Sequence, residues 1–367
     1  MLKEHELVLK LADFRSPDCE RINELMQGQL DWSLVLGLLA YNRMGGVAHY
    51  VLRANNIPIP NGFFEFSLFL QHDIMKLRTL AYRKTVAELS AVFNESGLPH
   101  AFLKGSVLSN IVYPLGCRVS NDIDILMSNK DLTEVGKVLQ KEGFIQGTFN
   151  KKDATIVPAS RMEIIHARMN FGEVKKYMKT CDMPGLELIE VDINFSLDWT
   201  PQGTQQAVET FLQSAEKYQF NNEEYTYSLP KEYFLAHLCV HLFKEAIVMN
   251  WIETQRDLGL YKFADIYAFL TDPHILVDSR KLIEIARANH IEKECYYALY
   301  NTSLLFPSLN GSEQFGEMLD GLRPLDLAYL DEVIDPTDSS IKYKWSRGFL
   351  ERFFDMNRSE LLVPVMA

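Results

Sequence analysis

What this sequence lacks narrows the field before any motif is read. It has no Cys-x-x-Cys pair: its five cysteines, Cys19, Cys117, Cys181, Cys239 and Cys295, are scattered and odd in number. A disulfide framework or a cysteine-built metal site needs closer spacing, so reduced thiols and a cytoplasmic location are expected. No apolar run approaches the ~20 residues of a membrane span, so no membrane partner is expected. The first residues, MLKEHELVLK, are too charged to contain the apolar stretch of a secretory signal, and none is expected there. Positive charge is also scarce, with 37 Lys and Arg against 49 Asp and Glu and a net charge of -12. Phosphate backbones select basic surfaces, so this balance argues against a protein that tracks nucleic acid by bulk electrostatics, although a local basic patch stays open. Internal repeats and low-complexity tracts are absent.

The rest is ordinary for a globular chain. At 47% hydrophobic and 23% charged, its 367 residues can bury a substantial core and fill two or three domains. One stretch stands apart, residues 103–127, LKGSVLSNIVYPLGCRVSNDIDILM. Lys104, Gly105 and Ser106 form a small-residue turn with a cation beside it. Asp122, Ile123, Asp124 and Ile125 then alternate polar and apolar residues, the pattern of a strand with one face in a core. Successive strand side chains point to opposite faces, so Asp122 and Asp124 share one face and the isoleucines take the other. Two carboxylates one pleat apart repel unless a cation sits between them, and a hard dication such as Mg²⁺ takes oxygen ligands and leaves room for phosphates. Backbone N–H groups and the Ser106 hydroxyl at the turn suit phosphate oxygens, and Lys104 and Arg118 add cations. Carboxylates for a metal next to a phosphate cradle are the equipment of phosphoryl or nucleotidyl transfer. An isolated Asp-x-Asp or Gly-Ser is common; the two in this order are more specific.

That order resembles the signature of the polymerase-beta-type nucleotidyltransferase superfamily, in which Gly-Ser or Gly-Gly precedes a strand bearing Asp-x-Asp. The fuller string (Leu103, Lys104 and Gly105, then Tyr113 and Pro114, Arg118, and Asp122 to Leu126) is similar to a bacterial branch described as nucleotidyltransferase family protein. The resemblance covers residues 99–145 most closely. It implies an α+β fold: a small mixed β-sheet nucleotidyltransferase core flanked by N-terminal and C-terminal helical regions. The expected domains are a helical lobe at 1–98, the catalytic core at 99–229 and a helical domain at 230–367.

This chemistry calls for a third carboxylate from a neighbouring strand. In Leu188, Ile189, Glu190, Val191, Asp192, Ile193, Asn194 and Phe195 the alternation puts Glu190, Asp192 and Asn194 on one face. Asp192 is the candidate and Glu190 the reserve. In the similar branch the string resembles Asp-apolar-His-Trp, so the chain departs from it at Asn194 and Phe195. The metal ligands expected are therefore Asp122, Asp124 and Asp192, holding two Mg²⁺ ions that Mn²⁺ can replace. The nucleotide-binding residues expected are Lys104, Gly105, Ser106, Arg118, His241 and Lys244.

Elsewhere the periodicity predicts helices. One starts after Asp31 and breaks at Gly45 and Gly46. A long one runs over 64–94, with Tyr82, Val86, Leu89 and Phe93 on its apolar face and Arg78, Arg83 and Lys84 on a polar face that either meets substrate or is solvated. A helix capped by Ser128 or Asn129 follows the Asp-x-Asp strand. Residues 147–160 are hard to place, and 162–167 read as a strand ending in His166, a residue that meets substrate or lies packed or at the surface. Beyond Pro230 the chain is helical again. His237, His241 and Lys244 share one helix face there, without the H-E-x-x-H of a zinc site, and Asp265 on the next helix either orients them or lies at the surface. A final amphipathic helix is expected around Trp345, Phe349, Phe353 and Phe354.

The donor expected is an NTP, ATP first, and the product pyrophosphate. The acidic balance suits a small-molecule or peptide hydroxyl as acceptor. A tRNA or protein acceptor, as in toxin-like members of the superfamily, and a decayed binding protein are the alternatives.

Overall fold

Alternation between apolar and polar residues builds the sheet that organises the chain. The computed structural model describes residues 1–201, 203–220, 225–336 and 341–366. Eight strands form one mixed sheet: β1 (His100–Phe102), β2 (Asp122–Met127), β3 (Ile145–Asn150), β4 (Thr155–Pro158), β5 (Tyr177–Met183), β6 (Leu186–Asn194), β7 (Glu216–Gln219) and β8 (Tyr225–Ser228). Their order is β4-β3-β5-β6-β2-β1-β8-β7. β2 and β6 are parallel and central; β1 runs antiparallel to β2, and β5 antiparallel to β6. The fold is thus α+β with a mixed sheet.

One face of this sheet is oily for the reason the alternation gives. Ile123, Ile125 and Met127 of β2 and Ile189, Val191 and Ile193 of β6 point into a core with Val86, Leu89 and Phe93 of the helix Gly62–Ser96 and Val135 and Leu139 of the helix Leu132–Lys141. Fully burying such a side chain is worth about 1.5–3 kcal/mol, so the register that puts them inward is strongly favoured.

The chain divides into two compact units, Asp73–Phe234 and Met1–His72 with Leu235–Ala367. The boundaries fall inside the helices Gly62–Ser96 and Lys231–Ile247, and both flanking helical regions cluster in one unit. In that unit the helix Lys3–Ala12 buries Leu7, Val8 and Leu11 against its neighbours Trp32–Tyr41 and Gly45–Ala54. The helices Leu260–Leu270, Ser279–Ala288, Glu292–Leu305 and Glu313–Leu322 follow. Arg358 and Asp257, 1% and 0% exposed, form a buried ion pair with contacts of 2.6, 2.9 and 3.1 Å.

The structure corrects several sequence expectations and places one stretch they left open. Residues 162–167 are not a strand but part of the helix Arg161–Asn170: the Ser160 hydroxyl accepts from Glu163 N–H at 3.3 Å while Glu163 accepts from Ser160 N–H at 2.7 Å. This capping box outweighs the β-branched pair Ile164 and Ile165. The unplaced stretch before it is the β3–β4 hairpin. The break between the third and fourth helices falls at Asn42 and Arg43, the latter at φ 57°, and Gly45 opens the next helix. A Cβ on Gly45 would stand 2.0 Å from Gln71 Oε1, so a larger residue there would make the Gln71 side chain swing aside. Lastly, Trp345 ends a strand instead of lying on a helix. β9 (Glu332–Ile334), β10 (Ile341–Trp345) and β11 (Leu362–Met366) make a second, antiparallel sheet, and Phe349–Arg352 is a single helical turn.

Candidate active site

The register of β2 on β6 creates the site. Asp122 lies opposite Glu190 and Asp124 opposite Asp192, so four carboxylates stand in two rows on the face away from the core. Asp124 and Asp192 are buried, with side chains 7% and 8% exposed, while Asp122 and Glu190 are about a third and a quarter open. Asn194 completes the row and donates to Asp124 Oδ1 at 3.4 Å.

Two ammonium groups face these carboxylates. Lys104 Nζ donates to Asp124 Oδ1 at 2.6 Å. Lys176 Nζ lies 2.8 Å from Asp192 Oδ2, 3.0 Å from Asp122 Oδ2 and 3.6 Å from Glu190 Oε2. Lys176 was not singled out by sequence. It directly precedes β5, and continuing the antiparallel register of Tyr177 with Val191 places it across from Asp192, a relation that exists only once the strands are paired. Burial raises the Asp124 carboxyl above its usual range, against the pull of Lys104. Burial likewise pushes Asp192 up to about 8, although Lys176 draws it down. Burial alone would lower the Lys176 ammonium, but Asp192, Asp122 and Glu190 more than reverse this and raise it. When ionised, four carboxylates face only two ammonium groups, so the cluster then holds more negative charge than its lysines neutralise.

Whether a metal fits can be judged from one atom. Asp192 Oδ1 is buried with no hydrogen-bond partner, and an oxygen in that condition costs about 1–3 kcal/mol unless something else satisfies it. A hard cation answers both the oxygen and the excess charge. In the arrangement described, no three His, Cys, Asp or Glu side chains among the described residues converge on one ion position, because the carboxylates are turned to the two lysines.

The glycine turn abuts this cluster. Leu103 N–H donates to the Asp124 carbonyl at 3.0 Å, which ties the turn to β2. Lys104 has φ 46° and ψ -119°, a conformation that costs a non-glycine residue about 1–3 kcal/mol and is kept where the surroundings enforce it. Gly105 opens the helix Gly105–Ile111, so its N–H is among the first-turn donors without an intrahelical acceptor. A Cβ there would stand 2.3 Å from Ser120 Oγ and 3.2 Å from the Tyr82 hydroxyl, so the position requires glycine. Ser106 is fully buried, with its Oγ 3.2 Å from the Tyr82 hydroxyl, and Tyr82 donates to the Asp122 carbonyl at 2.8 Å. A phenol has one proton, so Ser106 is the donor to Tyr82 and its hydroxyl is already committed.

The remaining expected residues are placed as follows. Arg118 is buried and donates to the Val119 carbonyl and, at 3.4 Å, to Ser120 Oγ. Arg78 and Arg83 do not form a solvated face. Arg78 reaches the carbonyls of Ser120 (3.2 Å) and Gly185 (3.0 Å), and Arg83 donates to the Ser109 carbonyl; Lys84 is exposed. His166 is exposed on its helix, edge-on to Phe171. His241 and Lys244 belong to the other unit. There His241 Nε2 lies 3.4 Å from Glu245, which also pairs with Lys262, and Lys244 and Asp265 are buried.

No helix among the described residues is long and apolar enough to cross a membrane. No curated protein matches the sequence. Among solved structures, an antigenic nucleotidyltransferase-like protein from Paracoccidioides brasiliensis is similar at 12% identity, over 64% of this chain and 92% of that one, with a TM-score of 0.37. The family model described as "Uncharacterised nucleotidyltransferase" matches residues 28–307, most of the chain, and the protein therefore belongs to that nucleotidyltransferase family.

Proposed function

We propose that the protein moves an NMP from an NTP, ATP first, to a hydroxyl of a small molecule or peptide, with release of pyrophosphate and dependence on Mg²⁺. The observation that carries this reading is the carboxylate face of β2 and β6, under-neutralised and with the Asp192 Oδ1 atom buried and unpartnered. Asp122, Asp124 and Asp192 are the residues that would hold Mg²⁺. When bound, Mg²⁺ would neutralise phosphate charge and lower the pKa of the acceptor hydroxyl.

The chain's own residues do the rest. The Lys104 ammonium, next to Asp124, is in place to pair with a phosphate oxygen, and the Gly105 N–H offers a hydrogen bond without charge. The Ser106 hydroxyl supports the turn through Tyr82, so its contribution is to position Gly105 and Lys104. Arg118 braces the loop at Val119 and Ser120, which packs on Gly105. In the reaction the acceptor hydroxyl gives its proton to solvent, its oxygen bonds to the α-phosphorus, the bond from that phosphorus to the bridging oxygen breaks, and pyrophosphate leaves. A nucleotide-binding role for His241 and Lys244 rests on the family resemblance alone. The net charge of -12 favours a small or peptide acceptor over tRNA.

The test is pyrophosphate release and thermal shift with each NTP and Mg²⁺, wild type against Asp122→Ala. A Mg²⁺-dependent shift with one NTP, lost in the variant, supports the reading and names the donor. Full activity in Asp122→Ala refutes it.

A further inference from the structure

The Lys176 ammonium lies against three carboxylates. Its Nζ lies within 3.0 Å of an Asp122 oxygen and an Asp192 oxygen, and 3.6 Å from Glu190. Mg²⁺ binds carboxylate oxygens at about 2.0–2.1 Å, so an ion bridging Asp122 and Asp192 and this ammonium cannot share the space. The two cations also answer the same need to unequal degree. A single positive charge leaves Asp192 Oδ1 buried without a partner, whereas a dication brings twice the charge and open coordination positions.

Lys176 is also built to leave. Its side chain is 32% exposed, against 12% for Lys104, and a lysine head on a flexible four-carbon stem can swing into water once another cation takes over its carboxylates. It stands just outside β5, so moving its side chain breaks no strand. Lys104, by contrast, is held by a strained backbone against a buried carboxylate.

We propose that Lys176 is a built-in counter-ion that keeps the metal-binding carboxylates together in the metal-free enzyme and that Mg²⁺ must displace, freeing the ammonium to meet the donor's phosphates. This rests on the reading of Asp122 and Asp192 as metal ligands. Without a resident cation, four carboxylates on one sheet face repel and the β2–β6 pairing weakens. With it, bare Mg²⁺ competes against a covalently tethered charge and binds weakly. Metal arriving with a triphosphate gains, because the displaced ammonium finds a new anion there. Lys176 thereby couples metal entry to nucleotide entry.

The experiment measures Mn²⁺ binding to nucleotide-free protein by the loss of the free-ion paramagnetic resonance signal, in wild type, Lys176→Met and Asp122→Ala. Lys176→Met is expected to bind Mn²⁺ at least tenfold more tightly than wild type, to melt at a lower temperature without metal, and to gain more from Mn²⁺. Affinity equal to or below that of wild type, with wild type still binding, overturns the counter-ion role and leaves the metal site standing. No Mn²⁺ binding in either protein overturns the metal reading itself. Should Lys176→Met fail to fold, site-resolved acetylation of the wild type decides. Lys176 should react slowly without metal and at least several-fold faster once Mg²⁺ is added, and unchanged reactivity while metal binds refutes the displacement.

Discussion

Removing one oxygen from Tyr82 should loosen the glycine turn from the Asp-x-Asp strand. In the wild type the buried hydroxyl donates to the Asp122 carbonyl at 2.8 Å and accepts from Ser106 at 3.2 Å, so one atom ties the glycine turn to the Asp-x-Asp strand. Tyr82→Phe deletes both bonds. A typical hydrogen bond contributes about 0.5–1.5 kcal/mol net, and a buried group left without its partner costs about 1–3 kcal/mol. Ser106 is fully buried and cannot turn to water, so the second figure applies to it. Against this, the phenol no longer has to be desolvated, and the balance is a loss of about 2 kcal/mol. Urea unfolding of wild type, Tyr82→Phe, Ser106→Ala and the double variant measures it. Ser106→Ala added to Tyr82→Phe removes the stranded donor, so the double variant should be no less stable than Tyr82→Phe, a coupling of about 1 kcal/mol. Turnover should fall more than stability explains, because the turn then moves relative to Asp122. A Tyr82→Phe loss below about 0.3 kcal/mol, or strict additivity of the two changes, refutes the tie.

Other consequences are as open to measurement. Replacing Lys104 by glycine relieves its backbone, whereas alanine keeps the strain, so Lys104→Gly should be more stable than Lys104→Ala by about 1 kcal/mol in denaturant, with both inactive. Arg358→Met strands Asp257 in the core and should cost about 3–5 kcal/mol by urea unfolding, much of it recovered when Asp257 is also made apolar. His100 is packed among Phe93, Phe102 and Tyr227, and burial lowers its pKa below the ordinary 6.5. Protonation therefore favours the unfolded chain, and its stabilising effect is present above about pH 6.5 and lost as the pH falls below it. Between pH 7.5 and 5.5 the melting temperature of the wild type should drop more than that of His100→Phe, and parallel curves would refute this.

The parts of the site legible in the sequence were those set by local period. Asp122 and Asp124 alternate with isoleucine, Glu190 and Asp192 with valine, and that suffices to put four carboxylates on one face once the strands pair. What escaped depends on register or on a single interaction. Lys176 sits in the unremarkable run Glu173 to Tyr177 and acquires its partners only through pairing with β6. Tyr82 reads as a core residue of a helix, and its ring is one; only the hydroxyl serves the site. Arg78 and Arg83 look like a solvated face because periodicity cannot reveal that loop carbonyls lie within their reach. The helix Arg161–Asn170 departs from the expected strand for the opposite reason: a local capping signal at Ser160 and Glu163 outweighs the apolar pair after it.

The parallel pairing of β2 with β6 also sets a timetable for the nascent chain. β1 and β2 are consecutive strands joined by residues 103–121, so Asp122, Asp124 and Lys104 can gather early. Glu190 and Asp192 arrive only after two helices, a hairpin and β5 have been made, and loop closure over that distance is slow. A ribosome-held fragment that ends before β6 thus carries half a charge cluster and nothing to complete it. The four-carboxylate face is therefore complete only when this unit is almost wholly synthesised and paired.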